Sequence, residues 1–264
     1  RSNAKNMKSK GNSIRFFLLF AGLSLLLALP WSQVILAQGY NNNEWIFGNC
    51  STGAHPYLSF GKGQTASVQT LPENVISIAG GSFNNAVAID PITGQPLFYT
   101  NGELVYDYSG NPIEGSAPGL RGDFQGRQTV ATGFLEYNPS GNKLFYIFYL
   151  SLAGQLQYAL VDMNAMGQAT GTQPPLGEIT SKDQVIGPGQ GAVLVVKTPS
   201  SPSYLISFAG GNLQSRRIAT PAGSFTLTGT AAIPFTPKAI VFEEGSSRLL
   251  LLPPNLGDDL LLLS

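Results

Sequence analysis

The chain has 264 residues, of which 11% are charged, against about 25% in an average soluble domain. All fifteen acidic residues lie beyond Gln38, whereas five of the fifteen basic residues precede it, so residues 38–264 carry a net charge of −5. This acidic balance argues against a nucleic-acid partner, which requires Lys and Arg concentrated on one face. The single cysteine, Cys50, excludes an intrachain disulfide.

The first segment has the pattern of an export signal. Basic residues precede an apolar run of 14 residues, 16–29, and a small residue, Ala37, follows at the predicted cleavage site. The alternative, an uncleaved membrane anchor, needs roughly 20 apolar residues. We therefore predict that residues 1–37 are an N-terminal extension and signal peptide, with residues 14–37 apart from the folded core. Residues 38–264 then form one secreted or surface-exposed domain that meets the membrane only through its export signal.

Catalytic and metal motifs are weak at the start of the mature chain. His55 is the only histidine and follows Cys50 by five residues, so the pair lacks the remaining ligands of a zinc centre. No Gly-x-Ser-x-Gly nucleophile elbow occurs. The stretch "GKGQTA", residues 61–66, imitates a dinucleotide loop, but Pro72 would interrupt the helix that such a loop requires. The sequence predicts no catalytic residue, no metal site and no cofactor.

Four hairpins with similar turn chemistry follow in chain order. Each joins a short apolar strand to a second strand rich in aromatic or branched residues, and a third strand comes after it. The turns are centred near Gly94, Gly141, Ser200 and Gly245. The first strands are predicted at 86–89, 134–137, 194–197 and 239–242, the second strands at 97–100, 144–150, 204–209 and 249–252, and the third strands at 102–107, 154–162, 211–219 and 258–263.

The spacing of these hairpins indicates a repeat architecture. Aligned on the second strand, Phe98, Phe145, Leu205 and Leu250 are 47, 60 and 45 residues apart. Units of about 40–50 residues with three or four strands are typical of β-propeller blades, which bury their faces against neighbouring blades. We therefore predict an all-β propeller of roughly four to five blades, at the low end of the range that closes a ring. The alternative is a β-sandwich, whose hairpins also recur at short intervals.

One charged loop stands out in a chain that has few charges. Arg121, Asp123 and Arg127 cluster in the glycine-flanked stretch "LRGDFQGRQ", and loops of this kind are where scaffolds present binding groups. Tyr106 and Tyr108 precede this loop, and their rings are candidates for stacking on a sugar. We predict these five residues as the ligand-binding set.

The stretches "NNEWIFGN", "NNAVAIDPITGQPLFYTNGELVYDYSGNPIEG", "GRQTVATGFLEYNPSGNKLFYIFYL" and "GQLQYALVDM" resemble the N-terminal propeller region of large exported proteins of gliding bacteria. The resemblance covers most of residues 41–163. It implies a WD40-like or YVTN-like β-propeller that is secreted or placed on the cell surface, often in chains that end in a type IX secretion sorting domain. The sequence departs from the family at residues 120–128, where the family has an uncharged Ser/Thr-rich loop, and residues 1–264 do not include the sorting domain that the resemblance would lead us to expect.

Two classes of function remain open. The first is a non-catalytic exported propeller that binds a surface glycan, a protein or a matrix component, or that forms part of a surface assembly. The second is an exported polysaccharide hydrolase or lyase with carboxylates at the propeller channel. The first is favoured because no nucleophile, metal set or base stands out.

The leucine-rich C-terminal segment, residues 249–263, carries a further expectation. A propeller ring that does not close leaves an apolar blade face and a blade edge exposed, and both favour association. We therefore expect this chain either to be the front part of a longer exported protein or to associate with a second copy through its C-terminal blade.

Overall fold

The computed structural model describes residues 44–46, 56–59, 67–70, 85–93, 95–123, 126, 128–137, 141–169, 171, 174–197, 203–219, 222–243, 247–255 and 261–263. Contacts divide the chain into two units, Arg1–Gly39 and Tyr40–Ser264, and every described residue belongs to the second. The predicted leader, residues 14–37, lies outside the described residues. In the part of the chain that is described, no helix is long and apolar enough to cross a membrane.

All regular elements among the described residues are β-strands, arranged in five antiparallel sheets. Within each sheet, strands that are consecutive in sequence are neighbours, so every sheet is a meander. Sheet 1 contains β1 (Glu44–Ile46), β2 (Pro56–Ser59) and β3 (Ser67–Thr70); sheet 2 contains β4 (Ala86–Ile89), β5 (Pro96–Thr100) and β6 (Val105–Asp107); sheet 3 contains β7 (Val130–Tyr137), β8 (Lys143–Leu150), β9 (Gln155–Asp162) and β10 (Glu178–Pro188); sheet 4 contains β11 (Gln190–Val196), β12 (Tyr204–Ala209), β13 (Asn212–Ala219) and β14 (Ser224–Ala232); sheet 5 contains β15 (Ala239–Glu243), β16 (Arg248–Leu252) and β17 (Leu261–Leu263).

The predicted all-β class and the four predicted hairpins are confirmed. Sheets 2 to 5 each begin with a first and second strand that pair antiparallel where the hairpins were expected, and the predicted third strand pairs next to them. The turn centres Gly94, Ser200 and Gly245 themselves lie outside the described residues. The hairpin pattern does not locate sheet 1 or the fourth strands β10 and β14.

Local hydrogen bonds explain why the first of these turns forms. The Asp90 carboxylate accepts hydrogen bonds from the backbone N–H groups of Ile92, at 2.8 Å, and Thr93, at 3.1 Å. The Asp90 N–H in turn donates to the Gln95 carbonyl at 2.9 Å. Asp is favoured at turns because its side chain caps the backbone in this way, and here it sets the register of β4 against β5.

Sheet 3 is buried on both faces, and β8 shows how the sequence achieves this. Successive side chains of a strand point to opposite faces of its sheet. Phe145, Ile147 and Tyr149 lie in one apolar cluster together with residues of sheet 2, such as Phe98. The intervening residues of β8, which include Phe148, lie in a second cluster together with residues of sheet 4. Sheet 3 is therefore packed between sheets 2 and 4.

Sheet 4 repeats this arrangement one step along the chain. Leu205 of β12 packs in the cluster shared with sheet 3, whereas its neighbour Ile206 packs with Ile240 and Leu251 of sheet 5. The first strands of the sheets also make successive contacts, β1 with β4, β4 with β7, β7 with β11, and β11 with β15. The sheets thus follow one another in chain order with their first strands side by side.

Candidate binding cleft

A cleft of about 460 Å³ lies where sheets 3, 4 and 5 come together. Three segments at the starts of first strands contribute to its walls: Gly126 and Thr129 before β7, residues 189–191 at the start of β11, and residues 236–238 before β15. The turn between β8 and β9, around Ser151, completes the lining together with Pro254. Because the first strands contact each other in sequence, the segments that lead into them converge at one end of the sheets.

Asp123 is the carboxylate among the described residues that line this cleft. Its backbone N–H donates to the Leu150 carbonyl at 2.6 Å, and its carbonyl accepts a hydrogen bond from the Thr129 hydroxyl at 2.5 Å. The carboxylate oxygen Oδ1 accepts a hydrogen bond from the Gly126 N–H at 3.1 Å. The backbone of Asp123 is thus fixed to the end of β8, so its carboxylate is held at the cleft wall.

Polar groups of sheets 4 and 5 line the cleft together with Asp123. Lys238 and Gln190 are exposed at the cleft, and neither side chain makes a hydrogen bond or ion pair within the described part of the chain. The Ser151 hydroxyl accepts a hydrogen bond from the Gln155 N–H at 3.2 Å, which leaves its own proton free to donate. The cleft lining therefore offers an anionic acceptor and several donors.

Gln128 holds the three sheets together beside the cleft. Its side-chain Nε2 donates to the Ile240 carbonyl and its Oε1 accepts from the Ile240 N–H, both at 2.7 Å. Its backbone carbonyl accepts a hydrogen bond from the Val193 N–H at 2.9 Å. Gln128 has a backbone φ of 50°, a left-handed conformation that residues other than Gly rarely adopt. One residue just before β7 thus binds the first strands of sheets 4 and 5.

Two glycines let the walls approach closely. A Cβ added to Gly191, which has a φ of 72°, would overlap the Pro237 carbonyl oxygen. A Cβ added to Gly189 would lie 2.7 Å from Cδ2 of Leu150. The segment between sheets 3 and 4 therefore fits this narrow position only because neither residue carries a side chain.

Arg121 and Asp123 belong to one loop, but they have different surroundings. The Arg121 backbone N–H donates to Oδ1 of Asp183 at 3.0 Å, and the exposed guanidinium lies 3.7 Å from Oδ2 of that carboxylate. The Tyr149 hydroxyl also donates to Oδ1 of Asp183, at 2.8 Å. Burial raises the pKa of Tyr149, and its hydrogen bond to Asp183 raises it further, so the hydroxyl stays protonated as a donor. These contacts anchor the start of the loop on β10.

The other predicted site residues are placed less favourably. Tyr106 is 2% exposed and stacks on Tyr99, with ring centroids 5.4 Å apart, so its ring is in the packing of sheet 2. Tyr108 is 38% exposed just beyond β6. Arg127 lies outside the described residues. Of the predicted set, Asp123 lines the cleft and Tyr106 and Tyr108 do not, and a ligand role for any of the five stays a prediction.

Sequence reasoning missed Lys238, Gln190 and Ser151, all of which line the cleft. A signal for two of them was present in the repeat. Gln190 is the first residue of β11 and Lys238 directly precedes β15, so both lie at the starts of first strands, as does the segment after Asp123 that leads into β7. Aligning the repeats on the observed starts of their first strands, rather than on their second strands, places these two positions within one residue of each other.

The described residues contain no cluster of three or more His, Cys, Asp or Glu side chains that could hold a metal ion. Comparison with models of known protein families gave no match, and comparison with curated proteins gave none either. The chemistry of this cleft is accordingly argued from its own residues.

Proposed function

We propose that the chain is an exported β-propeller and that sheets 1 to 5 are its blades. Three observations support this architecture: the sheets are meanders, they follow one another in chain order, and their first strands are adjacent. Burial supports it as well, since sheets 3 and 4 are covered on both faces by different sheets. In a two-sheet sandwich, by contrast, each sheet has one covered face, and Greek-key connections join the strands.

The proposed function is non-catalytic binding at the cleft, and the convergence of the three segments at the starts of β7, β11 and β15 carries this proposal. In propellers and other scaffolds, loops at one end of rigid strands hold binding groups in place. The side chains of Lys238 and Gln190 support it, because they make no hydrogen bond or ion pair within the described part of the chain and can therefore bind a ligand. The resemblance to exported surface proteins of gliding bacteria supports a location outside the cell.

The polar groups of the cleft favour a hydroxyl-rich ligand, such as a surface glycan, over a strongly charged one. Asp123 offers an acceptor, Lys238 and Ser151 offer donors, and Gln190 offers both, so their charges nearly cancel. Glycoside hydrolysis generally needs two carboxylates that flank the scissile bond. Asp123 is the one carboxylate in the described lining, which favours binding over the alternative of a polysaccharide hydrolase or lyase.

A panel of soluble polysaccharides tests this proposal, with both retention and release of shortened products measured for the exported chain. We expect retention of at least one polysaccharide without product release. Asp123→Asn and Lys238→Gln should each weaken that binding several-fold, because each removes a charge-assisted hydrogen bond. Arg248→Gln is the matched control, since Arg248 is an exposed cation that does not line the cleft.

Three results would contradict the proposal. Release of oligosaccharides that is lost in Asp123→Asn would support the hydrolase or lyase. Binding that Arg248→Gln weakens as much as Lys238→Gln would indicate attraction by general charge. Absence of binding to the whole panel would reject the glycan as the ligand.

A further inference from the structure

Residues 181–184 of β10 form a β-bulge, in which two residues, Lys182 and Asp183, lie opposite a single residue of β9. Asp183 has a backbone φ of 56°, in the left-handed region. Neighbouring side chains of a regular strand point to opposite faces of its sheet, but here both side chains reach the same segment, residues 115–121. Bulges often lie beside functional sites, where they redirect a side chain.

The two side chains of the bulge hold this segment along its length. The Lys182 ammonium group donates hydrogen bonds to the carbonyl oxygens of Gly115, at 3.0 Å, and of Pro118. Oδ1 of Asp183 accepts a hydrogen bond from the Arg121 N–H, also at 3.0 Å. The segment is therefore attached to β10 through its backbone, so the attachment does not depend on the Arg121 side chain.

Tyr149 of β8 fixes the Asp183 carboxylate in turn. The hydroxyl of this buried tyrosine donates to Oδ1 of Asp183 at 2.8 Å and accepts a hydrogen bond from the Asp183 backbone N–H at 2.6 Å. Oδ1 thus accepts two hydrogen bonds, one from the sheet and one from the Arg121 backbone. The carboxylate joins the loop to the rigid centre of sheet 3.

Only Gly122 separates Arg121 from Asp123 at the cleft wall. Gly122 forms a β-bridge with Ser151, and a Cβ added to Gly122 would overlap the Gly102 carbonyl oxygen. This residue is therefore closely packed on both sides and cannot absorb a displacement of its neighbour. A shift of the backbone at Arg121 is accordingly transmitted to Asp123.

We propose that Asp183 is a positioning residue for the cleft: its carboxylate fixes the backbone of Arg121 and thereby the place of the Asp123 carboxylate. Asp183 itself does not line the cleft. The affinity of the cleft for its ligand therefore depends on a side chain of β10. This consequence for affinity rests on the proposed function, whereas the effect of Asp183 on the Asp123 backbone requires no ligand.

A glycine substitution in the full chain tests Asp183 without straining the backbone. Asp183→Gly removes the carboxylate and suits the φ of 56°, and it should weaken retention of the polysaccharide that the wild-type chain binds several-fold. Val185→Gly is the matched control, because Val185 is an exposed residue of the same strand that pairs with β9, and it should bind as the wild type does. Asp183→Asn keeps an oxygen acceptor for the Arg121 N–H and should restore most of the affinity that Asp183→Gly loses.

A double substitution separates positioning from a general loss of structure. Asp123→Ala removes the carboxylate that Asp183 is proposed to position. Asp183→Gly added to Asp123→Ala should therefore cause little further loss of affinity. If Asp183 only supported the fold, Asp183→Gly would weaken binding by the same factor in both backgrounds.

Hydrogen exchange follows the backbone of the loop in the absence of a ligand. In Asp183→Gly the Arg121 amide loses its acceptor and should exchange roughly tenfold faster. The Asp123 amide should also exchange faster, whereas both amides should keep their wild-type rates in Val185→Gly. If Asp183→Gly does not fold, Asp183→Ser, which shortens the side chain by one bond, takes its place in both measurements.

The two measurements distinguish failure of this inference from failure of the proposed function. Faster exchange at Asp123 in a chain that binds no polysaccharide would reject the glycan ligand but support the positioning role of Asp183. Unchanged exchange at the Asp123 amide in Asp183→Gly would overturn that role, whether or not a ligand binds. Equal losses of affinity in the two backgrounds, or an Asp183→Asn variant that binds as weakly as Asp183→Gly, would overturn it as well.

Discussion

The two hydrogen bonds of the Gln128 side chain join sheet 3 to sheet 5, so we expect Gln128→Ala to destabilise the fold. The substitution leaves the Ile240 N–H and carbonyl without their partners, and Ile240 is 1% exposed. An unsatisfied buried polar group costs roughly 1–3 kcal/mol, and water that enters from the cleft recovers part of this, so the two groups together cost about 2–4 kcal/mol. For a domain of this size, the midpoint of thermal unfolding should fall by roughly 5–15 °C.

Two further variants at this position separate the side-chain contacts from the backbone conformation. Gln128→Gly loses the same hydrogen bonds but relieves the φ of 50°, so it should be about 1 kcal/mol more stable than Gln128→Ala. Gln128→Glu keeps the length of the side chain, and its introduced carboxyl can donate to the Ile240 carbonyl only when protonated. Its folded-state pKa is therefore raised, so its contribution is present below about pH 4 and is lost as the pH rises.

Thermal unfolding of the chain and hydrogen exchange at the Ile240 amide together measure these effects. We expect the Ile240 amide to exchange faster in Gln128→Ala, since its acceptor is removed. The reasoning would be refuted by a destabilisation of Gln128→Ala below about 0.5 kcal/mol, the scatter of ordinary surface substitutions, together with unchanged exchange at Ile240.

Three more predictions concern the core and the loop. Tyr106→Phe should keep or raise stability by about 1 kcal/mol, because the buried hydroxyl has no hydrogen-bond partner among the described residues. Burial raises the pKa of Tyr106 to about 12, so titration should show wild-type stability falling between about pH 10 and pH 12 more steeply than in the variant. Gly122→Ala should lower the free energy of unfolding, measured with urea, by about 2 kcal/mol or more, because an added Cβ would overlap the Gly102 carbonyl oxygen. Arg121→Ala should lower it by less than about 0.5 kcal/mol, since the ion pair of Arg121 is exposed. Phe148→Ala should cost about 3–5 kcal/mol by the same measurement, because this fully buried ring is shared between sheets 3 and 4.

The hairpins could be predicted from sequence because their signals are local. The turn at Asp90 fixes the register of β4 against β5 through contacts within five residues. In the strand around Phe145, successive side chains point to opposite faces of sheet 3, and both faces are buried. Sheet 1 was missed because its strands have only three or four residues and lack the repeated turn. The section that holds β10 was expected to contain loops and linking strands, but β10 itself was not delimited, because three register shifts interrupt its pairing with β9, one of them beside Asp183 with its φ of 56°.

The cleft could not be assembled from sequence because its residues meet only through the packing of sheets. The segment of Gln128, which leads into β7, meets Ile240 after a separation of 112 residues, and no local pattern encodes that contact. The contact between Gln128 and Ile240 nevertheless follows from the repeated units, since equivalent positions before each first strand must converge when the first strands pack side by side. It follows that an added residue before β11 should displace the residues that line the cleft more than an added residue in the hairpin turn at Ser200, although both insertions lie in the same repeated unit. At the cleft, Gly189 and Gly191 already contact the neighbouring walls, so an insertion there displaces Gln190 and widens the gap between sheets 3 and 5.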